Sequence, residues 1–323
     1  MMNWRSGLVA ALVAVCGGHA GTAIAQRAYP DRAIRIIVPY SPGGGNDVLA
    51  RVVAPKLQER FGHPVLVENK PGAGGAIATD FVAQSPADGY TLIVANNGFA
   101  ITPWIQKNLS FNPMGFAPVS ITVILPMGFA VNNDLPVTTI GELITYARAH
   151  PGKLSYGTAG TGTPHHLAME LFMSMTNTKM VMVPYKGASG MMLDLVPGRV
   201  NVLFSGVDSM LPNFQAGKIR LLGVGERKRL ARLPEIPTVS ETVPGLEAQI
   251  WLGFAAPANT PAAITRRLSD EIKMAVSQPE TGAALRKMGF EVNPSTPEEM
   301  RSVLQADYEK WGKVVAFAGI KPE

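Results

Sequence analysis

Residues 33–47 read AIRIIVPYSPGGGND, and the architecture follows from how that stretch is divided. Ala33 to Pro39 is a short run rich in β-branched residues, the signature of a buried strand. Tyr40-Ser41-Pro42-Gly43-Gly44-Gly45-Asn46-Asp47 is a turn with no apolar period. Beyond it Leu49, Val52, Val53, Leu57 and Phe61 recur at three- and four-residue spacing until Gly62, which predicts an amphipathic helix with a glycine stop. A strand feeding a helix through a glycine turn is the opening of a parallel α/β sheet, in which ligands settle outside the strand ends.

The alternation continues outward. Val65 to Glu68 and Thr91 to Ala95 read as strands, separated by a helix that opens at Pro71-Gly72-Ala73-Gly74-Gly75. A second set begins at Val123, with one long strand predicted over Val123 to Asn132 and a helix capped by Thr139 and Glu142. Leu154 to Thr158, Met180 to Pro184, Val200 to Phe204 and Ile219 to Val224 follow as strands, with helices over His165 to Thr176 and Ala188 to Val196. The chain then returns to the first unit through a strand at Ile250 to Ala256 and helices starting near Pro261 and Pro297. At 323 residues two domains are expected. The predicted limits are 26–122 plus 252–323 for one α/β lobe and 123–251 for the other, each a mixed, mostly parallel sheet flanked by helices.

The first 25 residues belong to neither lobe. Arg5, the apolar run Leu8 to Val15 and Ala23-Ile24-Ala25 have the layout of a cleaved secretory signal. The run is far short of the ~20 residues of a spanning helix. Cys16, the only cysteine, falls inside that segment, and Val15 before it does not suit a lipoprotein site. The mature chain is therefore expected to have no thiol, no disulfide and no thiolate metal site. Removing Arg5 takes the net charge from +5 to +4, with no basic stripe of the kind nucleic acid requires. The densest cationic cluster, Arg227-Lys228-Arg229 with Arg232, reads as a solvated loop or, alternatively, a docking patch for a partner.

Three loops are candidates for chemistry. Tyr40 to Asp47 aims converging N–H groups and a helix N-terminus at one point, which suits a carboxylate or phosphate. The alternative is an ordinary strand-to-helix turn capped by Asn46 or Asp47. Gly157 to His166, with Thr158, Ala159, Gly160, Thr161 and Thr163, repeats that logic and adds hydroxyls. Asn96-Asn97-Gly98-Phe99 offers amide donors. None of the three carries Lys or Arg, so an anion there would be met by N–H groups, hydroxyls and water. Sharper motifs fail. No P-loop or G-x-S-x-G elbow occurs, and Gly72-Ala73-Gly74-Gly75-Ala76-Ile77 has Ile77 where a dinucleotide fingerprint needs glycine. His165 and His166 are adjacent and cannot share a helix face as metal ligands. No metal or cofactor is expected.

Over the whole predicted mature chain the sequence resembles the tripartite tricarboxylate transporter receptors, also called Bug or TctC-like proteins. The carriers are Tyr29-Pro30-Asp31-Arg32, Ile37 to Gly44, Val67-Glu68-Asn69-Lys70-Pro71-Gly72-Ala73-Gly74-Gly75, Ala87-Asp88-Gly89-Tyr90-Thr91, Pro151-Gly152-Lys153-Leu154, Val183-Pro184-Tyr185-Lys186-Gly187 and Leu233-Pro234-Glu235-Ile236-Pro237-Thr238. The resemblance implies a two-lobe periplasmic receptor of the venus-flytrap kind, monomeric and not an enzyme. It would bind a small carboxylate and deliver it to integral membrane transporter subunits, with a sensor protein as a further partner in some cases. Carried over onto this chain, the ligand residues would be Tyr40, Ser41, Pro42, Gly43, Gly44 and Asp47 in the first loop and Asn96 and Asn97 in the third. The second lobe would supply Thr158, Ala159, Gly160, Thr161, Thr163 and His166, with Ser205 and Asp208 also expected at the ligand. Two departures stand out. Ser205 follows Phe204 where relatives carry Asp, with Asp208 three residues on, and Asn96-Asn97 replaces Ser or Thr. A dicarboxylate or aromatic carboxylate is the expected guest. The competing readings are a periplasmic hydrolase or oxidoreductase, and a docking module built on the Arg227 loop.

Overall fold

The computed structural model describes residues 29–107, 109–317, 319, 320 and 322. The predicted signal segment and Cys16 lie outside the described residues. In chain order the elements are β1 (Ile34–Val38), α1 (Gly45–Phe61), β2 (Val65–Asn69), α2 (Ala76–Ala83), β3 (Thr91–Asn96), α3 (Gly98–Ile105), β4 (Ala117–Leu125), β5 (Met127–Asn132), α4 (Ile140–Ala149), β6 (Ser155–Thr158), α5 (Pro164–Thr176), β7 (Val181–Pro184), α6 (Ala188–Leu195), β8 (Val202–Gly206), α7 (Val207–Gln215), β9 (Ile219–Val224), β10 (Ile250–Ala256), α8 (Ala262–Ser277), α9 (Pro279–Lys287), β11 (Glu291–Val292) and α10 (Pro297–Phe317).

The strands form a six-stranded sheet, β11-β4-β10-β3-β1-β2, and a five-stranded sheet, β7-β6-β8-β5-β9. In the first sheet β1 pairs in parallel with β2 and β3. The pairings β3–β10, β10–β4 and β4–β11 are antiparallel. The second repeats this plan, with β6 parallel to β7 and β8, and β5 antiparallel to β8 and β9. Both sheets are thus mixed, with less parallel pairing than the strand–helix alternation suggests. Pattern alone does not report the direction of a strand that returns from the other lobe.

Burial explains why β1 holds its place. Ile34, Ile36 and Val38 join the hydrophobic cluster containing Leu49, Val53 and Leu57 of α1, while Ile37 joins the one containing Met300 and Leu304 of α10. The strand is covered on both faces, as a strand of an α/β sheet must be. α10 begins with a reciprocal capping box: Thr296 N–H donates to Glu299 Oε2 at 2.8 Å and Glu299 N–H to Thr296 Oγ1 at 3.1 Å.

The predicted strand over Val123 to Asn132 is two strands, broken at Pro126. β4 belongs to the first sheet and β5 to the second. Proline has no N–H for a ladder, so the chain changes sheets there. The second crossing runs from β9 back to β10. The two crossings are laced together, Gly225 N–H donating to the carbonyl of Met127 at 2.8 Å and Ala248 N–H to that of Gly225 at 3.0 Å. The C-terminal helices pack on the first sheet as expected, and α10 also reaches α5 of the second lobe. Trp311, Val314 and Val315 cluster with Leu167 of α5 and with Ile101 and Ile105 of α3.

Candidate interlobe binding site

Between the lobes lies a cavity of about 400 Å³, within the usual range for a small-molecule site. Its floor is made by the crossing strands, with Leu125 of β4 and Ile250 and Leu252 of β10. Tyr40, Gly43, Gly44, Gly45, Asn46 and Asn96 line it from the first lobe, and Ala159, His165, Ser205 and Asp208 from the second. The floor is shared closely: a β-carbon on Gly45 would lie 3.5 Å from Leu125 Cδ2, and one on Gly206 2.9 Å from the same atom.

The first loop presents the start of α1. Gly44 is its N-cap and provides no side-chain cap, so the N–H groups of the first turn have no intrahelical acceptor. The helix dipole adds partial positive charge at that end. Gly43 differs from its neighbours, because its N–H already donates to Asp47 Oδ2 at 2.9 Å. Asp47 does not line the cavity. Its buried carboxylate also accepts from Arg51 Nε at 2.9 Å and Asn69 Nδ2 at 2.9 Å. Burial alone would raise its pKa, but Arg51, the Gly43 N–H and Asn69 together hold it below the ordinary carboxylate range. It is the brace that shapes the loop.

Tyr40 is buried, its hydroxyl donating to Gly74 O at 3.3 Å and accepting from Asn96 Nδ2 at 3.3 Å. Burial pushes its pKa up despite the Asn96 contact. Ser41 contacts the other lobe, both its N–H and its hydroxyl donating to the carbonyl of Lys186. Pro42, Asn97, Thr158, Gly160, Thr161, Thr163 and His166 do not line this cavity. Asn97 is turned into the protein, accepting from Trp251 N–H and donating to Asp307. The run Asn96 to Phe99 is the end of β3 and the start of α3, a helix that was not predicted.

Thr158 and Thr163 hydrogen-bond each other at 3.0 Å and close the second loop on Gly160 O. His166 Nδ1 accepts from Gly162 N–H at 3.1 Å, and Nε2 lies 3.6 Å from Glu170. Those two contacts engage both ring nitrogens within its own lobe. Its neighbour His165 faces the cavity, and burial drives its pKa down to about 4, so its ring is neutral. Gly160 and Thr161 line a second crevice beyond Tyr40, with Gly72 to Gly75, Lys107 and Lys186.

Three residues on the second-lobe wall have buried polar atoms with no hydrogen-bond partner: both ring nitrogens of His165, Ser205 Oγ and Asp208 Oδ1. Burial raises the Asp208 carboxyl to about 6, against the opposing effects of its local N–H groups and Arg232. His165 and Ser205 are not hydrogen-bonded to each other. Lys287, at the end of α9, also lines the cavity, although no predicted loop carries a cation. Nothing local marked Lys287, whereas His165 lies within the predicted second loop without being assigned to the ligand. The spacing of the C-terminal helices predicts their cores, not which end reaches the cleft. The cationic cluster is largely consumed: Arg227 pairs with Glu247, Arg229 with Glu241, and Arg232 donates to Gly289 O.

Two mixed sheets, two chain crossings and a cavity between them define a two-lobe solute-binding protein. The chain matches the family described as "Tripartite tricarboxylate transporter family receptor" over residues 49–320 and belongs to it. It is 32% identical over 322 residues to protein BugT of Bordetella pertussis, covering 96% of this chain and 98% of that one. Among solved structures it is similar to R. palustris Rpa4515 with adipate, at 36% identity and a TM-score of 0.87, covering 91% of this chain and 100% of the other. It is also similar to MatC (Rpa3494) from Rhodopseudomonas palustris with bound malate, at 26% identity and a TM-score of 0.83, covering 89% and 100%.

Proposed function

We propose that this chain is a periplasmic receptor that captures a small carboxylate between its lobes and hands it to integral membrane subunits of a tripartite tricarboxylate-type transporter. The observation that carries this reading is the start of α1, whose uncapped N–H groups adjoin a small, apolar-floored interlobe cavity. Relatives with bound adipate and malate support the ligand class. Closure follows from the ligand touching both lobes, since only differential affinity shifts an open–closed equilibrium. Export by a cleaved signal and a monomeric state belong to the same proposal, and a sensor protein is a further partner in it. Among the described residues no helix is long and apolar enough to cross a membrane.

A thermal-shift panel of dicarboxylates, tricarboxylates and aromatic carboxylates tests the reading, and at least one should stabilise the protein. Stabilisation by a neutral sugar with none by any carboxylate would overturn it. The second reading, a hydrolase, draws on Ser205, His165 and Asp208 lining one cavity. It lacks the nucleophile–base hydrogen bond that such chemistry requires. Release of alcohol from simple esters, abolished in Ser205→Ala, would favour it.

A further inference from the structure

We infer that the far end of the ligand carries a hydrogen-bond donor, a hydroxyl or an amide N–H, that binds Asp208 Oδ1, and that Asp208 selects against a second carboxylate. The inference rests on the carboxylate-receptor reading and narrows it.

The second-lobe wall carries buried polar atoms whose hydrogen bonding is incomplete. Ser205 is 1% exposed and its hydroxyl oxygen has no partner. His165 is 8% exposed and neither ring nitrogen has one. Asp208 Oδ1 is buried and equally open. Buried polar groups in folded proteins are hydrogen-bonded almost without exception, so unpartnered groups on three residues that line one cavity point to where a guest completes the network. Their chemistry differs. Neutral His165 offers one donor and one acceptor, Ser205 offers both, and an ionised Asp208 only accepts.

Asp208 is also closely packed. Gly289, at φ +93°, lies so near that a β-carbon there would be 2.3 Å from Asp208 Cβ, and one on Gly206 would be 2.5 Å from Asp208 Oδ1. Arg232 is the cation whose field reaches this carboxylate, and that guanidinium already donates to Gly289 O at 2.9 Å. With the proximal carboxylate at the start of α1, a dianionic guest in so small a cavity sets its second charge against Asp208. A donor-ended monocarboxylate satisfies Asp208 instead, while Ser205 and His165 supply donors to its far oxygen.

The test is isothermal titration calorimetry at pH 8, where Asp208 is ionised, with two matched pairs: succinate against succinamate, and adipate against adipamate. The half-amide of at least one pair should bind at least tenfold tighter than its dicarboxylate. In Asp208→Asn that ratio should fall below threefold or invert, the substitution being close to isosteric. Equal or tighter binding of both dicarboxylates to the wild-type protein overturns the inference, whatever the variant does. An unchanged ratio in Asp208→Asn also overturns it. Dicarboxylates that bind without the expected preference leave the receptor reading standing; a protein that binds no carboxylate of any class loses both.

Discussion

Ser41 in the first lobe donates both its N–H, at 3.4 Å, and its hydroxyl, at 3.2 Å, to the carbonyl oxygen of Lys186 in the second. One side of the cleft is therefore latched by protein alone, and Ser41 acts on closure. In Ser41→Ala one of the two bonds is lost, worth about 0.5–1.5 kcal/mol. Ligand affinity should fall about two- to tenfold, with the free protein's melting temperature little changed. Calorimetric titration beside differential scanning calorimetry checks both halves.

Gly74 is the second closure contact. It sits at φ +63°, and a β-carbon there would lie 2.6 Å from the carbonyl oxygen of Thr161 in the other lobe. Gly74→Ala meets a backbone atom, which cannot rotate aside. Its own left-handed conformation costs an L-residue about 1 kcal/mol. The variant should fold, scatter X-rays as a more open particle, and bind ligand at least about tenfold more weakly. A wild-type scattering profile with wild-type affinity would contradict this.

Asp47 braces the first loop through Gly43, Arg51 and Asn69. Asp47→Ala should cost about 2–3 kcal/mol of stability and weaken ligand binding, although the side chain does not line the cavity. Its folded pKa is depressed, so its contribution is complete above the ordinary carboxylate pKa and is lost as pH falls through the lowered value. Urea denaturation between neutral and strongly acidic pH should show a steeper acid loss for wild type than for Asp47→Asn.

His165 acts in a higher pH window. Its pKa falls from 6.5 to about 4 on burial, so the folded state resists protonation. Stability from this source is present above pH ~6.5 and declines toward pH 4, by about 3 kcal/mol over the window. Asp208 has the opposite sign, because its raised pKa means that ionisation costs stability above about 6. His165→Gln should flatten the decline below pH 6.5, and Asp208→Asn should raise the ligand-free melting temperature at pH 8. Melting curves across pH 4 to 8 read both effects.

Lys287 tests how much of the anion's charge is met by side chains. If the start of α1 carries the carboxylate, Lys287→Ala removes only a screened interaction of about 0.2–1 kcal/mol. Affinity should drop less than about fivefold, with a shallower salt dependence. A loss beyond a hundredfold would move the anion site to Lys287.

Much of the plan was legible before the fold was known. The runs that became β1, β3, β6, β9 and β10, the glycine loops behind β1 and β6 and the Thr139 cap of α4 are local features, readable within a few residues. Others were not. α3 was hidden because Phe99, Ile101 and Trp104 have no polar face against which to read a period. The histidine singled out by resemblance, His166, turned inward, while His165 took the cavity. One step along a helix changes the face by about 100°, and only packing of α5 against α10 decides which residue looks out.

Local chemistry along the chain was enough to mark out two α/β units and the glycine turn between β1 and α1, because strand, helix and turn preferences are properties of neighbouring residues. Tertiary structure alone decided that Pro126 hands the chain from one sheet to the other, that Asp47 braces rather than lines the cleft, and that Asp208, Ser205 and His165 meet across from Gly45. Most of those relationships depend on residues far apart in the chain, and they exist only once burial has brought the two sheets together.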